Sequence, residues 1–189
     1  TAEPAAGFPR TMACDIHQLA PLRARRSSRP AVFVFPAVLL LYLTGLSCEP
    51  LPGDVSVYLR RAAELDVDSF AQTHTLYLFL LHVAGRLIPF LPLPVLGSVL
   101  SAIFAAATAA LVADSVLRCG RNPIAATAAA LGLAVSHTLW FHAVIPEVYA
   151  LNALFTALIL WIPIRSCQRH GFPSARAAAG ACFLGGLGC

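Results

Sequence analysis

The sequence predicts an all-α integral membrane protein that crosses a bilayer several times, and three observations carry that prediction. Of its 189 residues 58% are hydrophobic and 12% charged, and the mean hydropathy is +0.75, far from the balance of a water-soluble domain. The apolar residues fall in runs approaching the roughly 20 needed to cross a hydrocarbon core. Short charged clusters separate those runs, and their signs alternate along the chain.

Each element follows in order. Residues 1–30 are rich in Pro, Ala and Arg, with Arg23, Arg25, Arg26 and Arg29 just ahead of the first apolar run, and read as a disordered basic cytoplasmic arm. Met12 could be the true start, with the residues before it a translated leader. Residues 31–48 form the first span; a signal peptide ending at the small residues Gly45 and Ser47 is the rival reading. Residues 49–94 form an external region. It opens as a polar stretch in which Glu49, Asp54, Glu64, Asp66 and Asp68 outnumber Arg60 and Arg61. It closes with Thr75 to Pro94, apolar but interrupted by His82, Arg86, Pro89 and Pro92. Further spans are expected at 95–117, 123–139 and 148–164, and an incomplete one at 177–189 gives the chain the look of a fragment.

The arginines test whether Thr75 to Pro94 crosses. If it does, Arg118 and Arg121 fall outside, Glu147 inside, and Arg165, Arg169 and Arg176 outside, against the positive-inside rule. If it lies on the outer surface, every loop obeys. An external juxtamembrane helix is therefore expected, with Arg86 at the headgroup level.

Composition excludes some functions. All 13 basic residues are Arg, and they sit between apolar runs without a basic, aromatic-interleaved stripe, so nucleic acid is not an expected partner. The six cysteines make no CxxC pair and no metal-ligand spacing, and no cofactor is expected, a divalent metal being left open; they read as packing residues or free thiols.

Candidate chemistry gathers on the external side. Asp54 follows the first span at the surface, where a carboxylate could meet a lipid-linked substrate; a solvated Pro52-Gly53-Asp54 turn is the plain reading. Glu147 follows Pro146 at the start of a helix, where the macrodipole favours negative charge, so a helix-end role explains it as well as chemistry does. His74, His137 and His142 could serve as acid, base or ligand but lack the i, i+4 spacing of a helical metal site, and His142 also suits a membrane interface. Asp114 lies four residues before Arg118, as a local ion pair would.

The order of these features resembles the membrane glycosyltransferases of the GT-C superfamily. The nearest branch contains animal endoplasmic-reticulum O-mannosyltransferases acting on plexin-type receptors, with many bacterial relatives. The resemblance rests on Gly53-Asp54 after the first span, on Thr73-His74-Thr75-Leu76-Tyr77-Leu78 with the later Leu91-Pro92, and on the block from Leu139 to Phe155 with its Trp140, Glu147-Val148-Tyr149 and Leu151-Asn152. It departs at Gly53-Asp54-Val55-Ser56-Val57, where the family often has a second carboxylate, and after His74, where Pro-Pro is missing.

The resemblance implies a GT-C-like N-terminal module that moves a sugar from a polyprenyl-phosphate carrier to the hydroxyl of a protein or glycan acceptor on the non-cytoplasmic side. It implies Asp54 as general base, with Glu147 and His74 as further catalytic candidates. Arg60, Arg61, Arg86, Tyr77, His142, Tyr149 and Asn152 are the implied substrate-binding residues. The membrane would be the bacterial inner membrane, or the endoplasmic reticulum if the source is eukaryotic. A transporter or flippase of lipid-linked sugars, or a non-catalytic membrane scaffold, would use similar helices, and a piece this short is expected to be inactive alone.

Overall fold

A computed structural model describes residues 29–47, 54–66, 74–120 and 122–187. Most of the basic arm, Gly53, Arg121, the cysteines at 14, 48 and 189, and the end of the last expected span lie outside the described residues. The described chain forms eight α-helices: α1 (Arg29–Leu43), α2 (Asp54–Glu64), α3 (Thr75–Leu87), α4 (Leu93–Gly120), α5 (Pro123–Ala134), α6 (His137–Val144), α7 (Tyr149–His170) and α8 (Ala175–Leu187). No strand occurs among the described residues, as the sequence predicts.

α4, of 28 residues, is the spine. One side of it is a column of small residues, Ala102, Ala105, Ala106, Ala109 and Ala113, all fully buried. Small side chains let neighbouring backbones approach closely, which is how helices associate where lipid offers no hydrophobic driving force. Against this column α1 lays Val34, Val38 and Tyr42, spaced four apart and therefore on one face. Its opposite face, with Val32, Phe33 and Leu40, is exposed and apolar, the surface a helix shows to acyl chains.

Local chemistry fixes the other ends. Asn122 caps α5, its Oδ1 accepting from the backbone N–H groups of Ile124 and Ala125, and Pro123 occupies the first turn, where no N–H is needed. α5 and α6 meet at a 62° bend. The Tyr42 hydroxyl donates to the Ala134 carbonyl at 2.9 Å, satisfying one of the acceptors that a helix end leaves open. Gly171, at φ +80°, ends α7 in the left-handed conformation, its N–H returning to the Cys167 carbonyl at 2.8 Å. Ser174 then starts α8, its hydroxyl accepting from the Ala177 N–H.

The contacts define two ends of the bundle. At one end Arg118 on α4 bonds Gln168 on α7, and the first turns of α1 lie against the last turns of α4. At the other end Ser47, just after α1, bonds Val144 and Ser98, and Glu147 bonds Ser101. α4 and α7 thus run parallel, with α5 and α6 carrying the chain back between them. The Arg-bearing connections share the first end and Glu147 the second.

By length and composition α4 and α7 can each cross a membrane, and the bent pair α5–α6 makes a third crossing if it acts as one span. α1, with 15 residues, reaches about 22 Å against a core of about 30 Å. α3 and α8, with 13 residues each, are shorter still. α3 keeps to the Glu147 end, where Tyr77, Leu78 and Leu81 pack with Leu96 of α4, with Val148 just before α7 and with Leu151 in its first turn. The polar stretch ahead of it, read from sequence as a loop, carries the amphipathic helix α2, whose Val55, Leu59 and Ala62 join the same cluster. His82 of α3 ties the pair through Nδ1, 2.7 Å from the Ala62 carbonyl oxygen.

Candidate functional site

The Glu147 end holds most of the residues singled out by sequence, and α4 organises them. Gly97 is the reason the loop after α6 can close on the spine. A Cβ there would stand 2.6 Å from the Pro146 Cβ and 3.4 Å from its Cα, so only glycine lets Pro146 lie flat against α4. One turn on, Ser101 reads both backbone groups of the next residue. Its hydroxyl donates to the Glu147 carbonyl and accepts from the Glu147 N–H, each at 3.2 Å. Ser98 donates to the Ser47 carbonyl at 3.0 Å. Both serines are fully buried and, three apart, share one face of the helix.

Tyr77 faces this arrangement from α3. Its side chain is fully buried, and its hydroxyl meets no hydrogen-bond partner among the described residues. Burial pushes the phenol well above its ordinary value; the nearby Ser101 hydroxyl offsets part of the rise, and the negative charge of Glu147 adds to it. The Tyr77 ring meets Tyr58 of α2 edge-on at 6.4 Å between centroids, and Tyr58 meets His74 at 6.2 Å. His74 stands immediately before α3.

Asp54 is the first residue of α2, and its side chain lies outside the described residues. On that helix Asp54, Tyr58 and Arg61 are spaced i, i+4, i+7. The Arg61 Nε is buried without a partner among the described residues, whereas Arg60 is exposed. Arg86 is exposed in the last turn of α3, about 18 Å along the helix from His74, and does not join the cluster.

The α6–α7 corner supplies an aromatic flank. His142 and Tyr149 lie 4.5 Å apart by ring centroids, Phe141 meets His142 edge-on, and His137 stacks on Phe141. His142 Nδ1 is buried and unpartnered among the described residues, while Tyr149 is 55% exposed, so the tyrosine offers its ring outward. Asn152 is half-buried in the first turn of α7.

Set together, these residues offer the Glu147 carboxylate with a phenol and a guanidinium nitrogen that are unpaired among the described residues, at one end of an apolar bundle, a set suited to an amphiphilic, polar-headed substrate. The family model described as Protein O-mannosyl-transferase TMEM260 N-terminal domain matches residues 73–189, well over half of the chain. The chain belongs to that family. The matched range of the TMEM260 N-terminal domain takes in His74, Tyr77, Arg86, Ser98, Ser101, His142, Glu147, Tyr149 and Asn152, and leaves Asp54, Arg60 and Arg61 ahead of it. No curated protein and no solved structure matches the chain.

For this member of the TMEM260 family the resemblance seen in the sequence therefore leads to a glycosyltransferase-like membrane family. Tyr58, Ser98 and Ser101 were not singled out from sequence. The two serines did leave a signal, a pair three apart in an otherwise Ala- and Leu-rich helix. Tyr58 left none until its partners across α3 were placed. Among the described residues Cys119, Cys167 and Cys182 are free thiols.

Proposed function

We propose that this chain is the N-terminal part of a membrane glycosyltransferase that moves a sugar from a polyprenyl-phosphate carrier to an acceptor hydroxyl on the non-cytoplasmic side. The observation that carries the reading is the meeting of α2, α3 and the Glu147 loop around Tyr77 and Ser101, which joins the start of α2 to the family's matched region.

In this reading Asp54 is the general base. A neutral hydroxyl is a poor nucleophile, so its proton passes to the Asp54 carboxylate as its oxygen bonds the anomeric carbon. The bond from that carbon to the phosphate oxygen breaks, and the carrier phosphate leaves with the electron pair. Among the three candidate arginines, Arg61 is best placed to hold that phosphate, because its Nε is buried without an acceptor among the described residues and it lies two turns along α2 from Asp54. Glu147 would bind sugar hydroxyls with the buried Tyr77 behind it, and Tyr149, His142 and Asn152 would line the acceptor side. His74 would orient Tyr58 and the substrate rather than move the proton.

Full-length protein carrying Asp54→Asn, assayed in membranes with a radiolabelled polyprenyl-phosphate sugar, tests the assignment. Loss of a general base predicts a fall of about 100-fold or more with donor binding retained. Undiminished transfer would remove Asp54 from the mechanism, and loss of transport without any sugar transfer in the wild type would favour a carrier of lipid-linked sugars.

A further inference from the structure

The opposite end of the bundle carries a second site, independent of the glycosyl-transfer reading. Between the first turns of α1, the second half of α4 and the middle of α7 runs a groove of about 530 Å³. Its length is apolar, walled by Phe35, Leu111, Leu154 and Leu158 among others. Its mouth is polar, made by Asp114, Arg118, Trp161 and Arg165.

The charges at that mouth do not cancel. Asp114 is buried and satisfied twice: it accepts from the Arg118 Nε and, at 2.6 Å, from the Trp161 indole N–H. Arg118 spends a second nitrogen on the Gln168 side chain at 3.0 Å, and Gln168 returns a bond to the Arg118 carbonyl at 2.8 Å. Asp114 thus neutralises Arg118. Arg165 has no such partner. Its guanidinium lies over the Trp161 ring, 4.7 Å from the centroid, and no carboxylate among the described residues pairs with it. A half-buried cation beside an apolar wall calls for a counter-anion, because in a low dielectric an uncompensated charge is costly.

We propose that the groove binds an anionic phospholipid of the leaflet at the Arg-rich end, one acyl chain along Leu154 and Leu158 and the phosphate held by Arg165 and the free edge of Arg118. A phosphodiester supplies one negative charge, which matches the one surplus guanidinium, and a guanidinium fork suits two phosphate oxygens. Trp161 sits where an amphipathic ring belongs, between acyl chain and headgroup. Arg-rich connections face the anionic leaflet in membrane proteins generally, which concentrates this ligand at this end.

The test uses full-length protein in phosphatidylcholine vesicles doped with a photo-crosslinkable phosphatidylglycerol, and in a parallel set doped with crosslinkable phosphatidylcholine. The expected result is selective labelling of α1, α4 and α7 by the anionic lipid, reduced about tenfold by Arg165→Gln, the factor that loss of one charge-assisted contact gives. Leu154→Trp, which keeps every charge and fills the acyl path, should reduce labelling to a similar extent, and it is read on the same scale. Arg169→Gln, exposed and outside the groove, should leave labelling unchanged. Equal labelling by both lipids, an effect of Arg169→Gln as large as that of Arg165→Gln, or protection by free inorganic phosphate would overturn the proposal. So would an unlabelled groove, the result expected if another helix of the protein fills it.

Discussion

Replacing Gly97 with alanine is the sharpest single perturbation of the candidate site, because it adds one methyl group and no charge. The added carbon would stand 2.6 Å from the Pro146 Cβ, well inside contact, and Pro146 is a rigid ring whose own Cα is 3.4 Å away. Neither side can rotate aside. The loop must therefore move off α4 by roughly an ångström, and overpacking of this kind costs about 1–3 kcal/mol. The same movement strains both 3.2 Å bonds between Ser101 and Glu147, each worth about 1 kcal/mol. A net loss of about 2–4 kcal/mol follows, with Glu147 displaced. The measurement is thermal unfolding of the purified full-length protein in detergent, beside sugar transfer in membranes. Ser101→Ala should show the smaller loss, about 1 kcal/mol, and the double variant should fall short of the sum because both changes release the same loop. A Gly97→Ala protein as stable and as active as wild type would refute the reasoning, since it would mean that Pro146 is not seated on the spine.

Tyr77→Phe removes a buried hydroxyl that has no partner, so melting temperature should hold or rise by the equivalent of up to about 1 kcal/mol while transfer activity falls. The same group sets a pH dependence: burial holds its folded pKa above the ordinary 10.0, so it leaves stability unchanged with pH below about 10 and lowers it as pH rises beyond, and the melting temperature of Tyr77→Phe should vary less with pH there. Asp114→Ala leaves Arg118 without its carboxylate and the Trp161 N–H without an acceptor, and should cost about 2–4 kcal/mol by thermal unfolding, with Asp114→Asn recovering part of it. Gly171→Ala forces a side chain into φ +80° at the end of α7 and should cost about 1 kcal/mol with activity unchanged.

The helical, membrane-embedded character was legible because hydropathy is a bulk property: the runs that became α4 and α7 stand out whatever they pack against. Loop charge also carried far, since Arg118 and Arg165 do share an end of the bundle and Glu147 lies at the other. Helix boundaries were less legible. The run expected to cross at 123–139 bends after Ala134 because Val135 and Ser136 break it, and the aromatic stretch beyond continues as α6. α2 was missed since its apolar residues, Val55, Leu59 and Ala62, are sparse in a charged segment and matter only once α3 lies over them. In the candidate site, His74, Tyr77 and Glu147 drew notice by residue type and by family resemblance. Ser98 and Ser101 did not, because a serine in an apolar helix more often bonds its own carbonyls, as Thr108 does with Phe104. Arg86 is the converse case: it drew notice as a cation in the right segment, and the length of α3 carries it away.

The junction at Ser47 has a consequence for the order in which the molecule assembles. Ser47 donates to Val144 and accepts from Ser98, while the loop that follows Val144 is clasped by Ser101, so residues from three distant stretches meet in one place. A chain that emerges from its N-terminus cannot close this junction until α6 has been made, however early α1 and α4 enter the membrane. Until then the exit of α1 and the buried hydroxyls of α4 remain open to whatever surrounds them. Variants at Gly97, Pro146 or Ser101 should therefore betray themselves first as slow maturation and early proteolysis near Ser47, before any defect in the finished protein can be weighed.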